Sequence, residues 1–384
     1  MKTLPAVYLT LLLTAQFSLR CDQERERLLD AYCERIIKAV EPLLQKEPNG
    51  IDRCLEKIQR LMISDPFHFF CRVSADLQPD GLHLEGEVER NEFKVIIVRV
   101  LEKLRFIRVF DRIEVVPNRG KDPNPFGVVV SPFIQTCLAP DSDSPMDEAL
   151  FAEPVYILKE FSSHFLIKTF SGYWGYGRKE SIRRLSANDF QRYVSGRKVS
   201  VERTIQYQDL FILAGSQLGL KNWGSGNMCR ILGALGDEFL LPKASCRRIS
   251  RDPPIQKLLQ TARSYLGSPY NSGGKNIRTG VDCSGLIQLC YRSVGINLPR
   301  DAGQQYTCGN LVAVPYFLQA LRPGDVLFFV DYSGKVDHVA LFLGSGNILH
   351  ATGEAVQIHS IDPKSNHYFQ RFKTDFLGAK RFLW

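Results

Sequence analysis

Cys283 occupies a position suited to a nucleophile. The stretch Gly280-Val281-Asp282-Cys283-Ser284-Gly285-Leu286 reads as a tight approach to a helix, and Leu286, Ile287, Cys290, Tyr291 and Val294 recur on one helical face. A cysteine on the first turn meets unpaired backbone N–H groups and the positive end of the helix dipole, which stabilise a thiolate and predict a lowered thiol pKa. The alternative is a small buried hydrophobe, the ordinary fate of a free cysteine. Downstream, Asp337-His338-Val339-Ala340-Leu341-Phe342-Leu343 and Ile348-Leu349-His350-Ala351 are apolar, strand-like runs joined by Gly344-Ser345-Gly346-Asn347, a hairpin signal. With the turn centred near Gly344 or Ser345, His338 falls almost opposite His350, their Cβ atoms about 5 Å apart on one face. A helix-borne thiol, a strand imidazole that takes its proton and a second polar group that orients the imidazole are the parts needed for covalent acyl transfer. As a zinc site the three residues lack a fourth ligand and the close Cys-x-x-Cys or His-x-x-x-His pairing usual for zinc. The chemistry therefore calls for no metal or other cofactor.

The elements that must carry these groups follow from periodicity. Phe69, Cys71, Val73 and Ala75 alternate, as do Leu82, Leu84 and Val88, with Gln78-Pro79-Asp80-Gly81 as the turn between them. Helical stripes run through Leu28 to Leu44, Cys54 to Met62 and Phe93 to Leu104, and Ile113 with Val115 marks a closing strand. After the turn-rich linker Asn118 to Pro125, short apolar runs at Val128–Val130, Val155–Leu158, Phe165–Thr169 and Tyr173–Tyr176 predict a small β-barrel, and Val199 to Ile249 repeats the texture. The fold class expected is multidomain α+β, divided as 1–20, 21–119, 126–196, 197–252 and 254–384.

The ordered motifs Ser268-Pro269-Tyr270, Gly273-Gly274, Asp282-Cys283-Ser284-Gly285, Leu298-Pro299-Arg300, Arg322-Pro323-Gly324-Asp325, Asp337-His338-Val339 and His350-Ala351 resemble the NlpC-type cysteine peptidases of bacterial cell walls. The resemblance covers about Pro254 to Trp384, roughly a third of the chain, and implies a papain-like core with the cysteine on a helix and the histidines on a sheet. One departure is Asn271-Ser272, where family members commonly carry an aromatic residue before the two glycines. The two preceding segments resemble bacterial Src-homology-type barrels, with Gly172-Tyr173-Trp174-Gly175-Tyr176 matching the aromatic-glycine strand, and residues 21–119 resemble a BON-type domain. Two such barrels before an NlpC-type domain resemble the γ-D-glutamyl-diamino-acid endopeptidases that trim peptidoglycan stem peptides.

That resemblance implies roles. Cys283 is the nucleophile, His338 its base and later the acid for the leaving amine, and His350 the group that orients His338. Tyr270, Asp282 and Ser284 line the acyl side, where a free L-alanine amine is bound, and Glu153 and Tyr173 from the first barrel close that pocket; for Tyr173 and Trp174 the competing role is barrel core. The substrate implied is the γ-D-glutamyl to diamino acid (meso-diaminopimelate) bond of stem peptides or muropeptides. The alternatives are a catalytically idle wall-binding envelope protein and an endopeptidase acting on intact sugar-linked stems.

Composition sets the outer limits. The chain has 384 residues, 44% of them hydrophobic, and a formal net charge of +8. Thirteen basic residues stand against eight acidic ones after Pro254. Such an excess suits solvated surface facing an anionic envelope, and no motif supports nucleic-acid binding. Met1 to Ser18 carries one lysine, an apolar run from Leu4 to Leu13 and small residues at Thr14-Ala15, the pattern of a secretory signal peptide. The protein is therefore expected in the periplasm or cell envelope. Cys21 would be the lipidated residue of a lipoprotein, although Arg20 before it is bulky and charged. Ten cysteines in an exported chain make Cys21, Cys33, Cys54 and Cys71 candidates for disulfides, while Cys283 must stay reduced and Cys290 packs inside.

Overall fold

A computed structural model describes residues 22–44, 50–63, 65–104, 108–120, 124–140, 142, 144–249 and 255–382. The N-terminal run expected to be a signal peptide, and Cys21, lie outside the described residues. The chain divides into two compact units, Met1–Pro125 and Phe126–Trp384.

In the first unit α1 (Asp22–Leu44) and α2 (Gly50–Met62) precede β1 (Cys71–Gln78) and β2 (Gly81–Val88), followed by α3 (Asn91–Lys103) and β3 (Val109–Val115). Strands β1 and β2 are antiparallel, closing at Gln78↔Gly81 so that Pro79 and Asp80 form the two-residue turn. Strand β3 returns parallel to β2, from Leu82↔Val109 to Val88↔Val115, with α3 as the crossover. Ile36, Val40, Ile58, Ile97 and Val100 from the helices bury against Leu82, Leu84 and Val88 of β2. The disulfide expectation is corrected here. Cys33, Cys54 and Cys71 are free thiols, the first two fully buried as small apolar groups, and Cys54 Sγ donates to the Val40 carbonyl at 3.2 Å.

The second unit begins with β4 (Phe126–Val129), β5 (Phe133–Cys137), β6 (Pro145–Leu150), β7 (Pro154–Glu160), β8 (His164–Lys168), β9 (Trp174–Arg178) and β10 (Ile182–Leu185), which form one antiparallel sheet in the order β10-β4-β7-β8-β9-β5-β6. Val129, Ile134, Val155, Ile157, Phe165, Ile167 and Ile182 close its interior. Helix α4 (Ala187–Ser195) leads to β11 (Lys198–Val201), the hairpin β12 (Ile205–Tyr207) and β13 (Leu210–Ile212), then β14 (Gln217–Asn222), β15 (Met228–Leu232), β16 (Glu238–Pro242) and β17 (Cys246–Arg248). Five of these form a second sheet, β16-β15-β14-β11-β17.

The remainder carries α5 (Ile255–Ser264), the two-residue strands β18 (Lys275–Asn276) and β19 (Gly280–Val281), α6 (Cys283–Ser293), α7 (Ala302–Tyr306), β20 (Asn310–Ala313), β21 (Val326–Val330), β22 (Val336–Gly344), β23 (Asn347–Thr352), β24 (Ala355–Ser360), α8 (Arg371–Thr374) and β25 (Phe376–Arg381). The strands from β20 on make one antiparallel sheet, β20-β25-β21-β22-β23-β24. Its middle strands are apolar on both faces because both are covered. Val326, Phe328, Val339, Leu341 and Leu349 pack under α6, while Leu327, Phe329, Ala340, Phe342 and Ile348 form a second core on the far side. The overall class is mixed α+β, as expected from the periodicities. Among the described residues no helix is long and apolar enough to cross a membrane.

Candidate active site

Helix α6 starts at Cys283 because Asp282 caps it. The Asp282 backbone is extended (φ −91°, ψ 176°) and its Oδ1 accepts from Gly285 N at 2.7 Å. Its Oδ2 accepts from Gly273 N at 2.8 Å. Gly273 has φ +77°, and a Cβ there would meet the Pro145 carbonyl of β6 at 2.6 Å, so only glycine lets this loop run between the cap and β6. The cysteine is thus fixed at the first helical position by a loop that is itself hydrogen-bonded to the cap.

The thiol lies against the sheet. Cys283 is 7% exposed, and the backbone N–H groups of Ser284, in its own helix, and Val339, the residue after His338, favour its thiolate form. The expected lowering of its pKa is reversed. Burial and the neighbouring Asp282 carboxylate push the thiol up to about 12, while Val339 N–H, Arg300 and Ser284 N–H pull in the opposite direction without prevailing. One turn of helix dipole is outweighed by burial.

The histidines meet on one face of the sheet. The β22–β23 pairing runs Leu341↔Leu349 and Phe342↔Ile348 with an irregularity before Gly344↔Asn347, and its continuation sets Ala340 rather than His338 opposite His350. His338 is therefore diagonal to His350, two residues along and on the same side. The rings still meet, His338 Nε2 to His350 Nδ1 at 2.7 Å. Phe369 closes over both, edge-on to His350 with centroids 4.5 Å apart and tilted on His338 at 5.9 Å. With Nε2 engaged, Nδ1 of His338 is the nitrogen left for a proton from outside the sheet. Burial, reinforced by the Arg371 cation and opposed by Asp337, lowers the His338 pKa to about 4. Burial and the neighbouring His338 drive His350 well below its ordinary value. At neutral pH the site therefore holds a neutral thiol and a neutral His338 imidazole.

These depressed values link to stability. An unfolded histidine takes a proton near pH 6.5, about its ordinary pKa, whereas folded His338 takes one only near 4. Their contribution is thus present above about pH 6.5 and is lost as pH falls toward 4. His350→Asn is expected to flatten the decline of Tm between pH 7 and pH 4.5 relative to the unsubstituted protein, read by calorimetry. Parallel curves for the two proteins would contradict this account.

The acyl-side residues are placed differently from expectation. Tyr270 is 40% exposed beside the cap and is the accessible member of the set. Asp282 is not an open carboxylate. Arg300 clamps it, with Nη1 on Oδ1 at 2.9 Å and Nη2 on Oδ2 at 2.5 Å, and Arg300 Nη1 also donates to Ser284 Oγ at 2.9 Å. Glu153 is wholly buried and faces Arg292, whose Nη1 donates to Oε2 at 2.5 Å. Arg292 is nine residues along α6 from Cys283, about 14 Å at 1.5 Å per residue, so the expected pocket-closing role of Glu153 gives way to an ion pair at the other end of the helix. Tyr173 is buried in the turn just before β9, and its hydroxyl donates to Asp301, the residue after Arg300.

Sequence reasoning missed the group that ties these parts together. Asp147 on β6, fully buried, accepts from Arg300 Nε at 2.9 Å, pairs with Lys275 Nζ at 2.9 Å and accepts from Thr169 Oγ1 at 2.6 Å. Burial alone would raise its carboxyl, but Lys275 and Arg300 outweigh that and hold it below the ordinary range. The next residue, Glu148, accepts from Lys275 N at 2.7 Å and Asn276 Nδ2 at 2.8 Å. The signal was Met146-Asp147-Glu148-Ala149, two adjacent acids inside an otherwise strand-like run. Beyond His350, a third imidazole was also missed: His350 Nε2 lies 2.8 Å from His359 Nδ1.

The NlpC/P60 family matches residues 267–377. The chain is 38% identical over 133 residues to a γ-D-glutamyl-L-lysine dipeptidyl-peptidase of Bacillus subtilis (strain 168), covering 34% of this chain and 43% of the relative. It is 28% identical over 251 residues to dipeptidyl-peptidase 6 of Lysinibacillus sphaericus, covering 60% of this chain and 89% of that protein. The chain spans between a third and a half of the length of the first curated relatives it matches. Among solved structures it shares its fold with an NlpC/P60 family protein from Bacillus cereus ATCC 10987, TM-score 0.56 at 23% identity over 67% of this chain and 100% of that one. Residues 267–377 of this chain are an NlpC/P60 domain.

Proposed function

We propose that this protein is a cysteine endopeptidase of peptidoglycan that hydrolyses the γ-D-glutamyl to diamino acid bond of stem peptides. The observation that carries this reading is the Cys283 thiol at the start of α6, seated on the strand of His338, whose far nitrogen is bonded to His350 at 2.7 Å. His338 Nδ1 takes the thiol proton as sulfur attacks the γ-carbonyl. The oxyanion forms beside the N–H groups that now face the sulfur, and the protonated His338 gives its proton to the departing amine. A water, deprotonated by the same nitrogen, then resolves the thioester. The substrate puts the protein outside the cytoplasmic membrane, in keeping with the apolar N-terminal run. In the same reading the two β-sheet segments before Ile255 are Src-homology-type barrels. Digestion of a defined muropeptide followed by mass spectrometry tests the bond: products ending in D-isoglutamate support it, and cleavage elsewhere overturns it.

One observation favours the second reading, action on sugar-linked stems. The carboxylates expected to hold a free alanine ammonium, Asp282 and Glu153, are neutralised by Arg300 and Arg292. Asp282→Asn is therefore expected to change little in the preference between free and N-acetylated L-alanyl-γ-D-glutamyl-diaminopimelate. The preference itself should stay below about tenfold in kcat/KM, against the roughly 2 to 5 kcal/mol that loss of a buried ion pair would cost. A hundredfold preference that Asp282→Asn abolishes would restore the free-amine reading.

A further inference from the structure

Three imidazoles step diagonally across one face of the sheet. The β23–β24 register pairs Ile348↔His359 and His350↔Gln357, so His359 stands two residues from direct opposition to His350 and on the same side. The bonds run His338 Nε2 to His350 Nδ1 at 2.7 Å and His350 Nε2 to His359 Nδ1 at 2.8 Å. His350 is fully buried and His338 nearly so, whereas His359 is only partly covered. It is the end of the row that solvent reaches.

Proton counting gives this row two polarities. Three neutral imidazoles carry three protons, and each N···N bond holds one of them. The third proton sits at one end, either on His338 Nδ1, facing the thiol side, or on His359 Nε2, facing outward. Only in the second arrangement is His338 Nδ1 an open base. A fourth proton, entering at His359, fills both of its nitrogens. Its Nδ1–H must then donate to His350 Nε2, His350 Nδ1–H donates to His338 Nε2, and the proton remaining on His338 is forced onto Nδ1.

We propose that His359 is the outer positioning residue of this site: it selects the tautomer of His350, through it holds His338 Nδ1 open toward Cys283, and is where a proton from acidic solvent closes the base. This rests on the cysteine-peptidase reading above. In the forward direction the same bonds work in reverse. As His338 Nδ1 takes the thiol proton, its Nε2 proton can pass to His350 and the His350 Nε2 proton to His359, so the positive charge moves from the dry interior to the partly exposed ring. The titratable groups facing the row are His367 after β24, whose charge disfavours a protonated His359, and Arg371 of α8, paired with Asp337 and Asp375 at 2.6 Å each. Phe369 covers the row and carries no charge.

The test uses the reactivity of Cys283 itself. Alkylation by iodoacetamide is followed from pH 4.5 to 8 by mass spectrometry of the Cys283 peptide, in the unsubstituted protein, His359→Asn and His359→Gln. An amide cannot take the closing proton, while its oxygen can accept from His350 Nε2–H. Relative to its own rate at pH 7, the Asn or Gln protein is expected to retain at pH 5 about tenfold more reactivity, the change for an acid limb moved by one pH unit. Acid limbs that coincide in all three proteins overturn the proposal, as does a uniform loss of rate at every pH without displacement of the limb. Peptide hydrolysis is measured on the same samples: a displaced alkylation limb without any γ-D-glutamyl cleavage would leave the histidine row standing and remove the peptidase reading.

Discussion

Cys283→Ala is expected to lower hydrolysis of a γ-D-glutamyl peptide by more than about a thousandfold, because loss of a nucleophile removes the covalent route and leaves only binding and oxyanion contacts. The fold should survive. Cys283 lies in the core under α6 and is 7% exposed, so trading sulfur for hydrogen leaves a small void worth about 1 kcal/mol. Thermal unfolding would then move by about 2 to 4 °C in a unit of this size. The cap remains, since Asp282 bonds Gly285 N and Gly273 N through groups that the substitution does not touch. Residual turnover above a thousandth, with the protein folded by circular dichroism, would count against covalent catalysis. His338→Ala should be as damaging. His350→Asn should be milder, since an amide oxygen can still accept from His338 Nε2–H.

Arg300→Met is expected to be the most destabilising single change in the second unit. Its side chain is 3% exposed between Asp147, which is wholly buried, and Asp282, which is 12% exposed. Removing the guanidinium leaves Asp147 with Lys275 and the Thr169 hydroxyl, and Asp282 with two backbone N–H groups and the Ser284 hydroxyl. Stranding buried charge in this way typically costs about 3 to 5 kcal/mol. Arg300→Lys should recover only part, because one ammonium cannot bridge two carboxylates as the planar fork does. Activity should fall with stability, since Asp282 starts the helix that carries Cys283. Urea unfolding followed by tryptophan fluorescence measures the loss, and adding Asp147→Asn to Arg300→Met should return part of it. A loss below 1 kcal/mol for Arg300→Met would mean that water or another cation takes over the site.

Much of this arrangement was legible in the chain because it rests on local rules. The helix start at Cys283, the glycine turn between β22 and β23, and the order of helices and strands from α1 to β3 each follow from periodicity and turn chemistry within about fifteen residues. The sense of the Cys283 pKa was not legible, because desolvation by a sheet 50 residues downstream decides it. Nor were the partners of the acids. Asp147 and Arg300 are 153 positions apart, and no local pattern says that a strand acid will meet an arginine from a distant loop. Resemblance placed Glu153 at the pocket, yet its carboxylate is spent on Arg292. His359 was within reach, since the short turn at Gly353-Glu354 fixes its parity with His350.

The seam that β6 makes with β18 and Arg300 also bears on portability. Asp147 and Glu148 supply acceptors to Arg300, to the Lys275 ammonium and backbone N–H, and to Asn276, all inside the NlpC/P60 domain. Excised at its family boundaries, that domain would lose the carboxylates that receive the Lys275 ammonium, the Lys275 and Asn276 N–H groups and Arg300 Nε, and would keep Asp282 as the acid on Arg300. The domain is therefore a poor cassette for transplantation. A chimera that keeps β6 and the Thr169 hydroxyl should express in soluble form where the bare domain does not, and a lineage recombining its modules would have to move the first sheet and the catalytic sheet as one inherited block.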